Sequence, residues 1–341
     1  MMLPGNRQAT RILRTLLVAC LLVPAPGLKA QNKQTMEQAT NPLLCDPAKG
    51  VCEIPGTDTV ARQQGITGNK PVEIVYFTDP ICSSCWGIEP QLRKMKLEYG
   101  ADIRVSYHMG GLLPDWSYNS GGISKPSDVA HHWDEVSRYY DMPIDGDVWL
   151  EDPLPSSYPP SIAFKAAQLQ DEYKAIAFLR RIREMVFLEK KNITKWEHLA
   201  QAALQTGLDT DRLKADYARE AETLFKADLD LARKSGVRGF PTLQINGQAG
   251  KQEILYGFRP YEAFEAALAK VHPGITKTPY VTSRESLFTH YPTLTTKEYA
   301  VLSNQTTEQS ETQLEQAFRQ GILDKVTTKN GPMWQRKDAR Q

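Results

Sequence analysis

The sequence predicts an α/β protein with a long helical insertion and a small C-terminal helix-helix-hairpin module. Three observations predict it. A short apolar run, Val72-Glu73-Ile74-Val75-Tyr76-Phe77, is followed by a helical segment opening at Cys82 and by a second run, Ile103-Arg104-Val105-Ser106-Tyr107. A helix between two short apolar strands is a βαβ unit, so the sheet contains a parallel pair. Residues 128–235 are helical in periodicity almost throughout, and strand signals return only at Thr242–Ile245 and Glu253–Tyr256.

Taken in order, residues 1–30 have the layout of a secretory signal peptide. Arg7, Arg11 and Arg14 precede the apolar core Leu16–Val23, and Leu28-Lys29-Ala30 offers a cleavage point before Gln31. Two alternatives stand beside it: a lipoprotein box ending at Cys20, and translation from Met36, which leaves a cytoplasmic protein. Export implies a periplasmic or otherwise exported location. No run outside the leader is long enough to span a bilayer.

Residues 31–70 read as a linker carrying Cys45 and Cys52. Residues 71–275 form the main domain, with its insertion at about 128–235. Within it, one helix is expected from near Cys82 to Tyr99, and another from Tyr173 to Phe187. A capping box at Thr194 and Glu197 starts a third, and Asp209 to Ser235 is expected to be the longest. Asn246-Gly247 is a hairpin turn pair. Residues 276–341 form the winged-helix-like C-terminal module, with helices near Leu294–Leu302 and Thr306–Gln320 and a hairpin around Asn330-Gly331.

Length allows about two domains at roughly 100–200 residues each. A formal charge of +1 sets up no field toward nucleic acid or anionic membrane.

The chemistry centres on Cys82-Ser83-Ser84-Cys85. A helix N-terminus offers unpaired N–H groups and the positive end of the dipole, and both favour the reactive thiolate. Half of a zinc site is the competing reading, with Cys45 and Cys52 as the other ligands. The six-residue gap between those two and the strand-helix setting of Cys82 speak against it, so no metal is expected. Cys45 and Cys52 have three readings: a structural disulfide, a second redox pair, or free thiols. His108 follows a strand and either lines the site or is a satisfied edge histidine. His131 and His132 are read as solvated, Met95 and Met109 as core. Asn192-Ile193-Thr194 matches a glycosylation pattern, but Thr194 is better explained as a helix cap.

Thr78-Asp79-Pro80-Ile81-Cys82-Ser83-Ser84-Cys85-Trp86, Gly110-Gly111-Leu112 and Gly239-Phe240-Pro241-Thr242 together resemble the DsbA-like thioredoxin superfamily, in its FrnE-like and YjbH-like branch. The resemblance covers about residues 41–275, and the tail resembles that of longer members. It implies a thioredoxin-like fold and a thiol–disulfide oxidoreductase. Cys82 would be the nucleophile and Cys85 the resolving thiol. Pro241 would be cis and opposite Cys82, with Phe240, Thr242 and Trp86 in the substrate surface. No cofactor is implied. The partners would be protein or peptide thiols and an unidentified redox partner. The alternative within the branch is a non-catalytic adaptor that delivers a regulator to a AAA+ protease. Two departures from the oxidising relatives stand out: Ser83-Ser84 lacks their histidine, and Tyr76 replaces the buried acid six residues before the nucleophile.

Overall fold

A computed structural model of the chain describes residues 70–116 and 125–337, and the backbone of two short strands, β1 (Cys45–Asp46) and β2 (Val51–Cys52). These two pair antiparallel with Cys45 opposite Cys52. The leader and the rest of the linker lie outside the described residues.

The central sheet has the order β4-β3-β5-β6. Strands β3 (Val72–Thr78) and β4 (Ile103–Met109) are parallel, while β5 (Thr242–Asn246) and β6 (Gln252–Tyr256) add antiparallel. β3 sits in the middle, which is why Val72, Ile74, Tyr76 and Phe77 are fully buried on both faces. The hairpin between β5 and β6 turns through residues 247–251 rather than at Asn246-Gly247 alone. Gly247 lies against the Val271 carbonyl, which a Cβ there would approach to 2.3 Å.

The single helix expected from Cys82 to Tyr99 is two: α1 (Ser83–Gly87) and α2 (Glu89–Tyr99), meeting at Ile88. Pro90 explains the break. In a continuous helix its ring would press on the Trp86 carbonyl, whereas in the first turn of α2 its missing N–H is harmless.

The insertion supplies α3 (Pro126–Tyr140), α4 (Val148–Glu151), α5 (Tyr158–Gln168), α6 (Glu172–Leu188), α7 (Trp196–Gln205), α8 (Thr210–Tyr217) and α9 (Ala221–Lys234). The long helix expected over 209–235 is divided in two: both halves, α8 and α9, pack on α5, and the first also meets α7 while the second meets β4. Among the described residues the longest helix is α6, with 17 residues. Thr194 does not cap α7. Its hydroxyl bonds the buried Asn192 side chain at 2.6 Å, and Lys195 takes the cap position. Burial of Asn192 also removes it as an open glycosylation site.

After α10 (Tyr261–Val271) comes the C-terminal module: α11 (Arg284–His290), β7 (Thr293–Thr295), α12 (Thr296–Ser303), α13 (Thr307–Arg319), β8 (Leu323–Thr328) and β9 (Gly331–Arg336). Its sheet has the order β7-β9-β8. Both α12 and α13 begin with capping boxes, Thr295 with Glu298 and Thr306 with Gln309. The module's core of Leu287, Phe288, Leu294, Tyr299, Leu302, Leu314 and Trp334 also takes in Leu97 of α2. The module is thus built onto the helix that follows the cysteines.

A charged seam completes that attachment. Glu298 is fully buried and accepts two bonds from Arg180 of α6, at 2.7 and 3.1 Å. Arg93 of α2 approaches Glu298 at 3.3 Å and donates to the Thr293 carbonyl at 2.7 Å. Two arginines on one carboxylate, each with further acceptors, satisfy a charge that would otherwise be costly to bury.

Candidate functional site around Cys82 and Cys85

β3 ends at Thr78 and hands the chain to Asp79-Pro80-Ile81, which sets Cys82 at the N-cap of α1. Cys82 has extended backbone, and its Sγ accepts the Cys85 N–H at 3.2 Å. Both cysteines are buried free thiols, Cys82 4% exposed and Cys85 not at all. The Phe240–Pro241 peptide bond is cis, and the Phe240 carbonyl faces the Cys82 thiol at 3.6 Å. The fold therefore gathers Cys82, Cys85, Phe240 and Pro241 from positions far apart in the chain.

The same contacts close the site. The Phe240 ring rests where Gly110 has no side chain, since a Cβ there would lie 1.9 Å from the ring. Thr242 turns its hydroxyl back to the Gly239 carbonyl at 2.7 Å. Trp86, expected in the substrate surface, lies in the core. It stacks on Phe187, donates to the Pro143 carbonyl at 3.0 Å and carries the Arg180 guanidinium over its ring. It can hold α1 in place but cannot meet a substrate.

Asp79 anchors the approach to Cys82. Its carboxylate accepts from Ile81 N at 3.0 Å, Leu112 N at 2.8 Å and Ser157 Oγ at 2.8 Å. Burial raises it to about 6, although those donors and Arg183 pull the other way.

Under Cys85 lies Arg183 of α6, 1% exposed, bonded to Glu89 at 2.8 Å, to Thr78 Oγ1 at 2.6 Å and to the Asp79 carbonyl at 3.2 Å. Tyr76 is buried beside it; its hydroxyl is near Thr78 without a well-aligned hydrogen bond. Six residues before Cys82 this chain has the Tyr76 phenol, with the Arg183 guanidinium beside it. Sequence reasoning missed Arg183. A signal did exist, because Arg183 is four residues from both Leu179 and Phe187, inside the apolar stripe of α6.

Burial pushes the Cys82 thiol well up, and the neighbouring Cys85 adds to it. Burial also opposes ionisation of Cys85, but the Cys82 hydrogen bond and Arg183 outweigh it and bring Cys85 down. The nucleophile of a thiol exchange must be the accessible thiolate. Here burial disfavours the thiolate at the outer thiol, while the Cys82 hydrogen bond and Arg183 favour it at the inner one.

His108 is held at 2.7 Å by Asp228, which also takes Lys165 at 2.9 Å and the Met109 N–H at 2.9 Å. It is a satisfied group in an ion-pair cluster. His131 and His132 are exposed, and Met95 and Met109 are core.

The Thioredoxin family model matches residues 76–266. The chain belongs to the DsbA-like thioredoxin superfamily. A ClpXP adapter protein SpxH from Halalkalibacterium halodurans is 33% identical over 305 residues, covering 88% of this chain and 99% of that relative. The ClpXP adapter protein SpxH of Bacillus subtilis is 30% identical over 273 residues, 78% of this chain and 89% of the relative. A solved structure from Nitrosomonas europaea, provisionally described as a protein disulfide isomerase, has a TM-score of 0.51 at 23% identity, over 58% of this chain and 96% of its own. That likeness shows the shared fold alone.

These findings correct the enzymatic expectation. The relatives that align with most of this thioredoxin-fold chain are named adapters, not oxidoreductases. Their similarity also reaches beyond 76–266, into parts of the chain that a thioredoxin domain does not account for.

Proposed function

We propose that this protein is a binding adapter of the SpxH type, which engages a client protein and hands it to the ClpXP protease. The observation that carries this reading is similarity to named ClpXP adapters over 88% of the chain. The shielded Cys82 and a C-terminal module tied to the body through Glu298 agree with a body built to hold partners. Its partners are then the protease and a client such as a regulator.

The test has two parts. Purified protein should bind ClpX, and protein half-lives across the proteome should identify at least one client stabilised equally by loss of this protein or of ClpXP. No ClpX binding and no shared client would sink the reading.

Under this reading the working protein would be cytoplasmic, with translation from Met36. The leader-like residues 1–30 favour an exported binding protein instead. Sequencing the N-terminus of the native protein separates the two: a start at Met36 supports the adapter, and a start near Gln31 supports export.

A further inference from the structure

Cys45 and Cys52 stand directly opposite each other in the antiparallel pair of β1 and β2, with Asp46 opposite Val51. Residues opposed in this way have Cα atoms about 4.5–5.5 Å apart and Cβ atoms at a similar spacing. A disulfide spans Cα separations of about 4.4–6.8 Å, so the backbone register brings this pair within range of one. A slip of one residue would remove that opportunity, because neighbouring side chains along a strand face opposite ways. Pro47 to Gly50 separate the strands in sequence, and the loop closed by such a bond would hold eight residues, 45–52.

What the register offers, two such strands cannot hold by pairing. β1 and β2 have two residues each and form a sheet of their own, joined to no other strand among the described residues. An isolated two-stranded hairpin is marginal in water even at ordinary strand length. A covalent link between opposed residues removes open-chain conformations that compete with the paired one. The coupling is reciprocal: whatever the bond adds to the pairing, the pairing adds to the bond. Zinc is the weaker fit, because a structural site takes four ligands. Among the described residues no group of three or more histidine, cysteine or carboxylate side chains comes together.

We infer that Cys45 and Cys52 form a disulfide clasp across β1 and β2, a second thiol pair whose oxidation state decides whether this hairpin is held. The oxidant is a low-molecular-weight disulfide such as oxidised glutathione. The thiolate of one cysteine attacks it and releases one glutathione thiolate. The second protein thiolate then displaces the other glutathione from the mixed disulfide. One S–S bond is broken in glutathione and one is made in the protein. Two electrons pass to glutathione, and the two protons of the protein thiols end on its two thiols. The clasp rests on the register and not on the adapter reading.

Peptide mapping of the full-length protein tests it, because Lys49 lies between the two cysteines. Trypsin separates Gln34–Lys49 from Gly50–Arg62, and only a disulfide keeps the two peptides together. In wild-type protein equilibrated with oxidised glutathione and then alkylated, the linked peptides should be the main species, and reductant should abolish them. Val51→Cys with Cys52→Val moves one thiol to the other face of β2. It should lower the equilibrium constant for the link at least about tenfold in glutathione buffers. With Cys82→Ser and Cys85→Ser, so that only the upstream pair responds, reduction should speed tryptic cleavage at Lys49 at least about fivefold. Unlinked, fully alkylated peptides under oxidised glutathione overturn the inference. So do a disulfide-linked dimer, a link from Cys45 or Cys52 to Cys82 or Cys85, and zinc held tightly by the upstream pair. An exchanged variant that links as readily overturns it too, since nearness in sequence and not register then makes the bond. An unchanged cleavage rate at Lys49 shows that the bond does not hold the hairpin and overturns the clasp.

Discussion

Arg180 and Arg183 lie one turn apart on α6, and each buries its guanidinium in a different way. Arg180 meets the Glu298 and Glu184 carboxylates, and Glu298 is shared with Arg93. Arg183 meets one carboxylate, a hydroxyl and a carbonyl, and its Nε has no partner. The first arrangement balances charge and locks the C-terminal module to the body. The second leaves an incompletely hydrogen-bonded guanidinium beneath Cys85. One helix thus holds a structural lock and, on its next turn, an electrostatic bias on a thiol pair.

The largest way to break the comparison is Glu298→Ala. It takes the shared carboxylate from two buried arginines, and removing one partner of a buried pair costs about 3–5 kcal/mol. Urea unfolding should show that loss, and wild-type stability would remove the lock. Arg183→Met should cost less, about 1–3 kcal/mol, because Glu89 keeps Arg93 at 3.7 Å. Its distinguishing effect is on Cys85, whose thiolate absorbance should titrate at higher pH once the guanidinium is gone. An unchanged titration would mean Arg183 does not bias the pair.

Next in size is the pH dependence. Asp79 sits at about 6 in the fold against an ordinary 3.8, so the folded state favours its protonated form. That contribution is complete below about pH 3.8 and is lost as pH rises through about 6. Glu298 acts in the opposite sense. Burial raises it but Arg180 and Arg93 hold it down, so its contribution is present above its ordinary 4.5 and lost in stronger acid. Asp79→Asn should therefore gain on the wild type by on the order of 2 kcal/mol above pH 6 and by little below pH 4. A constant offset at all pH values would contradict this origin. Cys82→Ser should change stability least, within about 1 kcal/mol, because serine can still accept the Cys85 N–H.

Much of this was legible in the sequence. The alternation and placement of apolar runs gave the β3–α2–β4 unit, and the order of Cys82, Gly110 and Pro241 gave the grouping around the cysteines. The helices expected near Leu294–Leu302 and Thr306–Gln320 are present as α12 and α13, and each starts at a capping box, a local device. What was illegible depended on contacts distant in sequence. β7 is three residues long, too short for any period. The chain divides into α8 and α9, which share α5 and differ in a second neighbour, α7 for one and β4 for the other. Thr194 met every local rule for a cap and lost to a buried Asn192. The seam of Arg93, Arg180 and Glu298 joins three helices whose charges look like ordinary solvated faces when read singly.

The function turned on the same distinction. Cys82-Ser83-Ser84-Cys85, Gly110-Gly111-Leu112 and Gly239-Phe240-Pro241-Thr242 together point to the superfamily, but the surroundings of the two thiols are set by Phe240, Arg183 and burial. The central claim is that the protein acts by binding and not by thiol exchange. Its most direct test is ClpXP-dependent client turnover in cells carrying Cys82→Ser with Cys85→Ser. Turnover equal to the wild type is the predicted result. Loss of turnover with the fold and ClpX binding intact, together with disulfide reduction by the wild-type protein, would contradict it.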